Sequence, residues 1–526
     1  MLVSFSSFIK DYHHRYPLRT ILIAAIVLRL IAAFFSEGYA FHDDHFDVTR
    51  VAHSWSQGIP HWLGTTVPPK HSMLYAGINA AFFWVIQSVG ITDPYTKTLL
   101  IRIIHAFYSC LIVFFGFKIT LILADLKRAQ LVAWILALLW FMPFMSVRFL
   151  VEMVCIPPVL AGFYFLAKND KQTLKKIGLW LLSGVFFGLA FSLRYHTILF
   201  AGGLGLVLLY RKEWKGSVLF TTGFLMAAFI TVGLVDIVFF EYPFHSIVEY
   251  FDHNSSNSDG YITGSPLKFT LTTFGFIFPL VSVFLMVGYI KSSKVEPMMF
   301  VALLVFFVFH SAFPNQQERF IFPMFPILII LGVIGWENIV SNSEFWLKHT
   351  NLLKNSWRTW WVMNLFVGLF MATTFSKKDR IEPLHVLSQK GDLTALIIEN
   401  EKSVKQPPVY YLGENTSDYN EWEKGILGLD SLTRFHLDHK VVYRFYPSKS
   451  VEELKKEIDH AGKIPNYVIF QGVRDLEKRK SKLFSVLGDR ELIHIESVKP
   501  STLDRFLHFF NPKHHRDQTA TIFRIQ

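Results

Sequence analysis

A short acidic cluster stands directly after the first long apolar run of the chain. Its carboxylates are Asp43, Asp44 and Asp47, with His42 and His45 among them. Carboxylates held beside an apolar wall have raised pKa values and can serve as general bases. A solvated acidic patch, a helix N-cap or a divalent-metal site would use the same residue types. From the chemistry of these residues alone, the solvated patch or the cap is the commoner case. Of the two functional interpretations we favour the base over the metal, because the sequence shows no fixed ligand geometry. A metal is possible but not indicated, and no cofactor is predicted.

Three arginines lie at ends of apolar runs, and the orientation derived below places all three on one side. They are Arg148, Arg194 and Arg319. A charge at membrane depth is costly and by default marks a site. Guanidinium forks match phosphate oxygens. For one arginine alone, extension of the side chain to the interface would be the better interpretation. With all three on one side, a receptacle for a phosphate and extension to the interface are equal alternatives.

Two long loops on that side carry further polar candidates. The loop 36–97 contains Lys70 and His71, and the loop 241–268 contains Asn254 and Tyr261. Ordered loops of this length tend to be functional. The polar groups of the loop 241–268 could recognise the hydroxyl and amide groups of a sugar, and an exposed turn is the alternative for each of its residues.

Long apolar runs must position these groups. Of 526 residues, 52% are hydrophobic and 18% are charged, and runs of roughly 15–25 residues fit ~30 Å of hydrocarbon. An ordinary soluble enzyme, a disordered chain and a fibrous protein are excluded. Eleven membrane spans are predicted, near 20–35, 98–124, 130–146, 149–167, 177–193, 197–210, 216–240, 269–290, 296–312, 320–340 and 359–375. The stretch 73–89 is predicted to be an interfacial or re-entrant helix.

The basic residues give the orientation of these spans. Lys and Arg concentrate in alternate connections, which marks the cytoplasmic side, and the N-terminus falls on that side. The net charge of +11 is therefore mainly an orientation signal, and no nucleic-acid partner is predicted. Eleven crossings place the C-terminus on the other side.

The fold class predicted is mainly α, with a transmembrane domain over residues 1–375. Residues 376–526 are predicted to form a small extracytoplasmic α/β domain, since short β-like runs alternate with a helical stretch. The predicted strands are Val409–Leu412, Lys440–Phe445, Tyr467–Phe470 and Thr519–Ile525, and the helix is Val451–His460.

Several motifs resemble glycosyltransferase family 22, the polyprenyl-phosphate-mannose-dependent mannosyltransferases of GPI-anchor and N-glycan assembly. The acidic run 43–47 followed by Ala52-His53 is similar to the family's Asp-Glu-x-Phe/Trp-Gln…Ala-His. The segment 318–323, preceded by His310, is similar to His-Lys-Glu-Glu-Arg-Phe-Leu-Phe-Pro. Here the family's Glu is Asp44 and its Gln is Asp47.

The resemblance implies a GT-C fold whose first extracytoplasmic loop is catalytic. It implies that Asp43 is the general base, with Asp44 orienting it or replacing it. Arg319 would be the first candidate to stabilise the leaving phosphate, and Arg194 and Arg148 would be the next candidates for this role. Glu318 and His310 would also bind substrate.

The reaction implied is an inverting single displacement. The donor would be a polyprenyl-phosphate sugar carrying mannose or a related hexose, and the acceptor a hydroxyl of a glycan or glycolipid. The lipid tail would lie in an apolar groove between spans, and membrane lipid would surround the enzyme. Transfer of another sugar, such as arabinose or glucose, is the alternative. A lipid or sugar transporter is an alternative of another class, which would tend to show internal repeats.

The composition also bears on the membrane in which the protein resides. High Phe and Lys content with two cysteines favours a bacterial inner membrane with the active site facing the periplasm. The second candidate location is the endoplasmic reticulum membrane, with a luminal active site.

Overall fold

The chain is mainly helical and ends in a mixed sheet. The computed structural model describes residues 12–63, 72–170, 177–240, 242–256, 264–401, 409–420, 439–488, 490–512 and 518–526, without the side chains of Asp43 and Asp170. The principal helices are Pro17–Phe35, His42–Ser56, Met73–Ser88, Pro94–Leu123, Leu126–Leu138, Phe141–Ser146, Val151–Val154, Ile156–Asp170, Ile177–Leu193, Ile198–Tyr210, Trp214–Ala228, Leu234–Phe239, His245–Ser256, Lys268–Ile277, Pro279–Lys291, Pro297–Ala312, Phe325–Ser341, Glu344–Lys348, Thr350–Ala372, Lys378–Ser388, Val451–Ala461, Leu476–Leu487 and Thr502–Phe510.

Five helical segments within the described residues are long and apolar enough to cross a membrane. They are Pro17–Phe35, Pro94–Leu123, Val151–Asn169, Trp214–Phe239 and Glu318–Ser341, and a bent pair provides a sixth if it is one span. The multi-pass membrane architecture is thus confirmed. The other predicted spans fall on shorter, interrupted or less apolar helices, so the count of eleven stays a prediction.

The bent pair joins Lys268–Ile277 to a helix that begins at Pro279, at an angle of 117°. Phe278 at the break has a φ of +63°. Backbone groups freed inside a membrane need internal partners. The indole N–H of Trp140 donates to the Phe276 carbonyl at 2.7 Å, and that of Trp360 donates to the Ile277 carbonyl at 2.5 Å. The two tryptophans therefore stabilise the break.

The described chain divides into two compact units. The first comprises residues 1–33, 69–75 and 102–373, and the second comprises 34–68, 76–101 and 374–526. Most of the long first loop thus belongs to the same unit as the C-terminal sheet.

Glycines allow close helix packing in the first unit. A Cβ on Gly335 would lie 1.9 Å from the Gly288 carbonyl oxygen, and one on Gly288 would lie 2.0 Å from the Gly332 carbonyl oxygen. Small residues let membrane helices approach until their backbones touch. The helices Pro279–Lys291 and Phe325–Ser341 therefore pack together through this glycine contact.

The second unit contains a six-stranded sheet of order β2-β3-β1-β4-β6-β5. The strands are β1 Ala395–Asn400, β2 Thr416–Asp418, β3 Lys440–Phe445, β4 Tyr467–Gln471, β5 Leu492–Val498 and β6 Ala520–Ile525. Strands β2, β3, β1 and β4 are parallel, while β6 runs antiparallel to β4 and β5 antiparallel to β6.

The α/β character predicted for this segment is confirmed, but one predicted strand is wrong. Val409–Leu412 forms a 3-10 helix, and all four residues are buried. A short, fully buried apolar run has the same composition in a strand and in a helical turn, so periodicity does not separate them.

Candidate active site

Two arginines of the first unit converge on one buried carboxylate. The Nη2 of Arg194 lies 2.9 Å from Oε1 of Glu152, and the Nε of Arg319 lies 3.8 Å from the same oxygen. Glu152 is 1% exposed, Arg194 6% and Arg319 5%. Buried charges are tolerated when they are paired. Two guanidinium groups against one carboxylate leave a local excess of one positive charge.

Irregular backbone between apolar helices places these three side chains. Glu152 lies in the one-turn helix Val151–Val154, and Arg194 is an extended residue directly after Leu193, where a long helix ends. Arg319 lies in the 3-10 helix Glu318–Met324. Short breaks of this kind let a polar side chain leave a helix axis while the apolar flanks stay packed.

The ring of Phe320 lies beside both guanidinium groups. Its centroid is 5.0 Å from the Arg194 guanidinium carbon and 5.5 Å from that of Arg319. An aromatic face within about 6 Å attracts a cation. Phe320 therefore helps to hold the two positive groups together.

A chain of hydrogen bonds lies in the same unit. Nδ1 of His310 is 2.8 Å from the Phe306 carbonyl, which only accepts, so this nitrogen donates. With the ring neutral, Nε2 of His310 then accepts from Nδ1 of His196 at 3.4 Å, and the Tyr250 hydroxyl donates to Nε2 of His196 at 2.7 Å. These bonds fix the orientation of both imidazole rings and of the Tyr250 hydroxyl.

These side chains line a cavity of about 250 Å³. Its walls are mainly aromatic and aliphatic, and Asn254 and Asn315 add amide groups. Phe320 lies in its wall as well as beside the two arginines. The cavity can thus hold an apolar chain or a ring with a few hydroxyl groups.

The acidic cluster forms the start of a helix in the second unit. The helix His42–Ser56 follows extended Phe41, so Asp43 and Asp44 stand in its first turn. Asp44 is 2% exposed, and Nε2 of His45 is 2.9 Å from the Tyr411 hydroxyl. The positive end of the helix dipole favours carboxylates there. The side chain of Asp43 lies outside what the structure describes.

Sequence comparison decides the family. A family model described as the Alg9-like mannosyltransferase family matches residues 20–406. The chain belongs to this family. The resemblance read from its motifs is thereby confirmed, and this member of the family is a membrane glycosyltransferase. No curated protein matches the chain.

Two solved structures match nearly the whole chain of this Alg9-like family member in fold. ArnT from Cupriavidus metallidurans bound to undecaprenyl phosphate has a TM-score of 0.63 at 11% identity, covering 96% of this chain and 97% of its own. The apo oligosaccharyltransferase of Archaeoglobus fulgidus has a TM-score of 0.55 at 11% identity, covering 91% of this chain and 72% of its own. At this identity the likeness shows the GT-C fold alone.

The structure describes the surroundings of two other candidate residues of this family member. The Nη1 of Arg148 donates to the Phe144 carbonyl at 3.0 Å, and its guanidinium lies 3.6 Å from the Phe144 ring centroid. Glu318 is half-exposed and pairs with Lys268 at 2.9 Å. Lys70, His71 and Tyr261 lie outside the described residues.

Sequence reasoning missed three members of the first-unit cluster as site residues. They are Glu152, His196 and Tyr250. A signal for Glu152 was present, because it lies within the predicted span 149–167 and an ionisable residue within an apolar run is rare and usually functional. His196 falls between the predicted spans 177–193 and 197–210, so this argument does not single it out. Tyr250 carried no such signal, since tyrosine is common near membrane surfaces.

Proposed function

We propose that this member of the Alg9-like family transfers mannose or a related hexose from a polyprenyl-phosphate sugar to a hydroxyl of a glycan or glycolipid. Family membership supports the sugar. The convergence of Arg194 and Arg319 on Glu152 supports a phosphate-bearing donor, and it is the observation on which the proposal rests most. The structural relative ArnT, which was solved with undecaprenyl phosphate, supports a lipid carrier.

The proposed reaction is a single displacement with inversion. The acceptor oxygen forms a bond to the anomeric carbon and loses its proton to a carboxylate. The bond from that carbon to the phosphate oxygen breaks, and the electron pair leaves with the lipid phosphate. Asp43 takes the proton in this proposal, and Asp44 orients it or takes its place.

Charge that develops on the leaving phosphate must be stabilised by donors already in position. Arg319 and Arg194 would supply these donors. Glu152 holds both guanidinium groups in place and removes one of their two positive charges. The remaining charge suits an anion that must bind and later leave.

The neighbouring groups have supporting roles in this proposal. His310 and Asn254 would bind the sugar or the phosphate from the wall of the cavity, and Glu318 remains a proposed substrate-binding residue. Arg148, Lys70, His71 and Tyr261 remain proposed substrate-binding residues.

An assay of the purified protein in membranes tests the donor assignment. Labelled polyprenyl-phosphate-mannose and polyprenyl-phosphate-glucose would be offered with candidate glycolipid acceptors. Transfer of mannose is expected. Transfer of glucose alone would overturn mannose as the transferred sugar, and transfer from neither would overturn the function.

Arg319 variants test the phosphate role in the same assay. Arg319→Ala is expected to lower kcat/KM for the donor about 100-fold, as loss of a positioned charge donor does, and Arg319→Lys should retain part of the activity. The exposed Arg358→Ala is the matched control and should behave as the wild type. Equal activity of the wild type, Arg319→Ala and Arg319→Lys would show that Arg319 does not stabilise the leaving phosphate.

We also propose eleven crossings, a transmembrane domain over residues 1–375 and an extracytoplasmic domain over 376–526, in a bacterial inner membrane. The basic cytoplasmic connections support this topology. A reporter enzyme that is active only in the periplasm, fused after Gln526, should be active. Activity only of a cytoplasmic reporter would contradict this topology.

A further inference from the structure

The helix Thr502–Phe510 presents three phenylalanines outward. Phe506 is 56% exposed, Phe509 79% and Phe510 68%. Their rings cluster, with centroids 4.7 Å apart for Phe506 and Phe510 and 5.3 Å apart for Phe509 and Phe510. At this spacing the three side chains share about 100° of the helix circumference. An apolar cluster of this kind marks an interaction surface.

The first turn of this helix is anchored to the chain that follows the last long apolar helix. Ser501 caps the helix by accepting the backbone N–H of Asp504 at 3.2 Å. The carboxylate of Asp504 accepts the backbone N–H of Lys377 at 2.7 Å. The position of Lys377 therefore sets the position of the phenylalanine face.

Lys377 lies where two apolar helices end. Its neighbour Ser376 forms a parallel bridge with Gly38, and the Ser376 N–H donates to the Glu37 carbonyl at 3.0 Å. Gly38 comes three residues after the span Pro17–Phe35, and Ser376 comes four residues after Thr350–Ala372. Four residues reach at most about 14 Å. Lys377 and the start of the helix thus lie close to the membrane surface.

Aromatic and cationic side chains accompany this anchor. The Lys377 ammonium lies 4.3 Å from the Tyr39 ring centroid and donates to the Ala40 carbonyl. Lys499 and Arg505, beside and on the phenylalanine helix, are exposed. Exposed cations next to an apolar aromatic face are typical of helices that lie in the plane of a membrane interface.

We propose that the helix Thr502–Phe510 is a membrane-surface helix, whose Phe506, Phe509 and Phe510 insert into the bilayer on the side that carries the C-terminal sheet. The occupant of this apolar face is lipid, because the anchor through Asp504 holds it at the level where the apolar helices end. This contact adds an attachment of the second unit to the membrane besides the chain connections.

Site-directed spin labelling tests this proposal in the full-length protein. The two native cysteines, Cys110 and Cys155, are buried, so an introduced surface cysteine is labelled selectively. The variants Phe506→Cys and Phe509→Cys carry the label on the proposed lipid face. Ile464→Cys is the matched control, since Ile464 is apolar, 58% exposed and in the same unit.

The labelled proteins would be reconstituted singly in nanodiscs of phosphatidylcholine with a minor fraction of phosphatidylglycerol. At positions 506 and 509, collisions with oxygen are expected to exceed those with a water-soluble nickel chelate, and the control should show the reverse. The proposal is overturned if both positions behave like the control. Protection from nickel without a rise in oxygen collisions would indicate protein contact and would also overturn it.

Discussion

Glu152 organises the charged side chains of the first unit. Its Oε1 lies 2.9 Å from Nη2 of Arg194 and 3.8 Å from Nε of Arg319. The sequence predicted both arginines as members of one site, and the structure brings them to the same oxygen. The carboxylate between them was not among the predicted site residues. The proposed receptacle for an anion would thus include an acid, which moderates its charge.

Replacement of Glu152 by Gln tests this positioning role. The change removes the carboxylate from a buried ion pair with Arg194, and breaking a buried pair costs about 3–5 kcal/mol in stability. Turnover should fall. Inhibition by the product polyprenyl phosphate should become stronger, because the cluster gains one net positive charge.

The measurements are the inhibition constant for polyprenyl phosphate and the melting temperature. Glu337→Gln is the control, since Glu337 pairs with exposed Lys127 at 3.5 Å, and it should change neither. An unchanged inhibition constant in Glu152→Gln would show a purely structural role.

The acidic pair gives a second prediction at this scale. Asp43→Asn should abolish transfer while membrane insertion and expression stay normal, because an amide cannot accept the acceptor proton. Asp44→Asn should lower transfer less if Asp44 only orients the base. Both variants are compared in the transfer assay. Near-normal rates in both would show that the general base does not lie in this helix.

At the scale of elements, helix breaks carry the side chains of the proposed phosphate site. Arg194, Glu152 and Arg319 all lie in short interruptions of apolar helices, and Phe278 interrupts another. Composition predicts where apolar runs lie, but not the direction in which the chain leaves a break. That direction depends on partners distant in sequence, such as Trp140 and its bond to the Phe276 carbonyl.

The glycine contact between two membrane helices makes a prediction at the same scale. Gly335→Ala should lower the melting temperature, because its Cβ would lie 1.9 Å from the Gly288 carbonyl oxygen and overpacking costs about 1–3 kcal/mol. Gly202→Ala is the matched control, since nothing lies within 4 Å of a Cβ there. Equal melting temperatures of the two variants would contradict this close packing.

The strands show why part of the sheet escaped prediction. Strand β1 is buried at all six positions, so it has no alternation of apolar and polar residues. Strands β3, β4 and β6 were predicted within a residue or two, since their runs of Val, Ile, Tyr and Phe favour strands. Strand β2 has three residues, too few for a periodic pattern.

At the scale of the molecule, the second unit joins residues that are hundreds of positions apart. His53 of the first loop lies 5.3 Å from the ring centroid of Tyr410. Burial lowers the pKa of His53 to about 3, and the charge of Lys97 adds to the effect. His53 is therefore neutral near pH 7, and its burial links the stability of this unit to pH.

The stability of the protein should fall on acidification. The folded pKa of His53 is depressed, so its contribution is complete above the unfolded value of about 6.5 and is lost as the pH falls toward 3. Between pH 6.5 and pH 5 the loss is about 2 kcal/mol. His53→Phe removes the titrating imidazole and should therefore flatten the dependence of melting temperature on pH. A parallel dependence in wild type and variant would contradict the assignment.

The pKa of His61 is lowered like that of His53, so the effects of the two histidines on the pH dependence of stability should add. Burial lowers its pKa to about 3, with Arg50 contributing. The double variant His53→Phe/His61→Phe should therefore be flatter in its pH dependence than either single variant.

By itself, the sequence determined the membrane class, the family and the residues available for chemistry. These depend on local composition and on motif order, which a chain carries wherever it folds. The tertiary structure decided which of those residues meet. Glu152, Arg194 and Arg319 are separated by 42 to 167 positions, and their common contact depends on how apolar helices pack and where each breaks. Such contacts follow from long-range packing, which no local pattern contains.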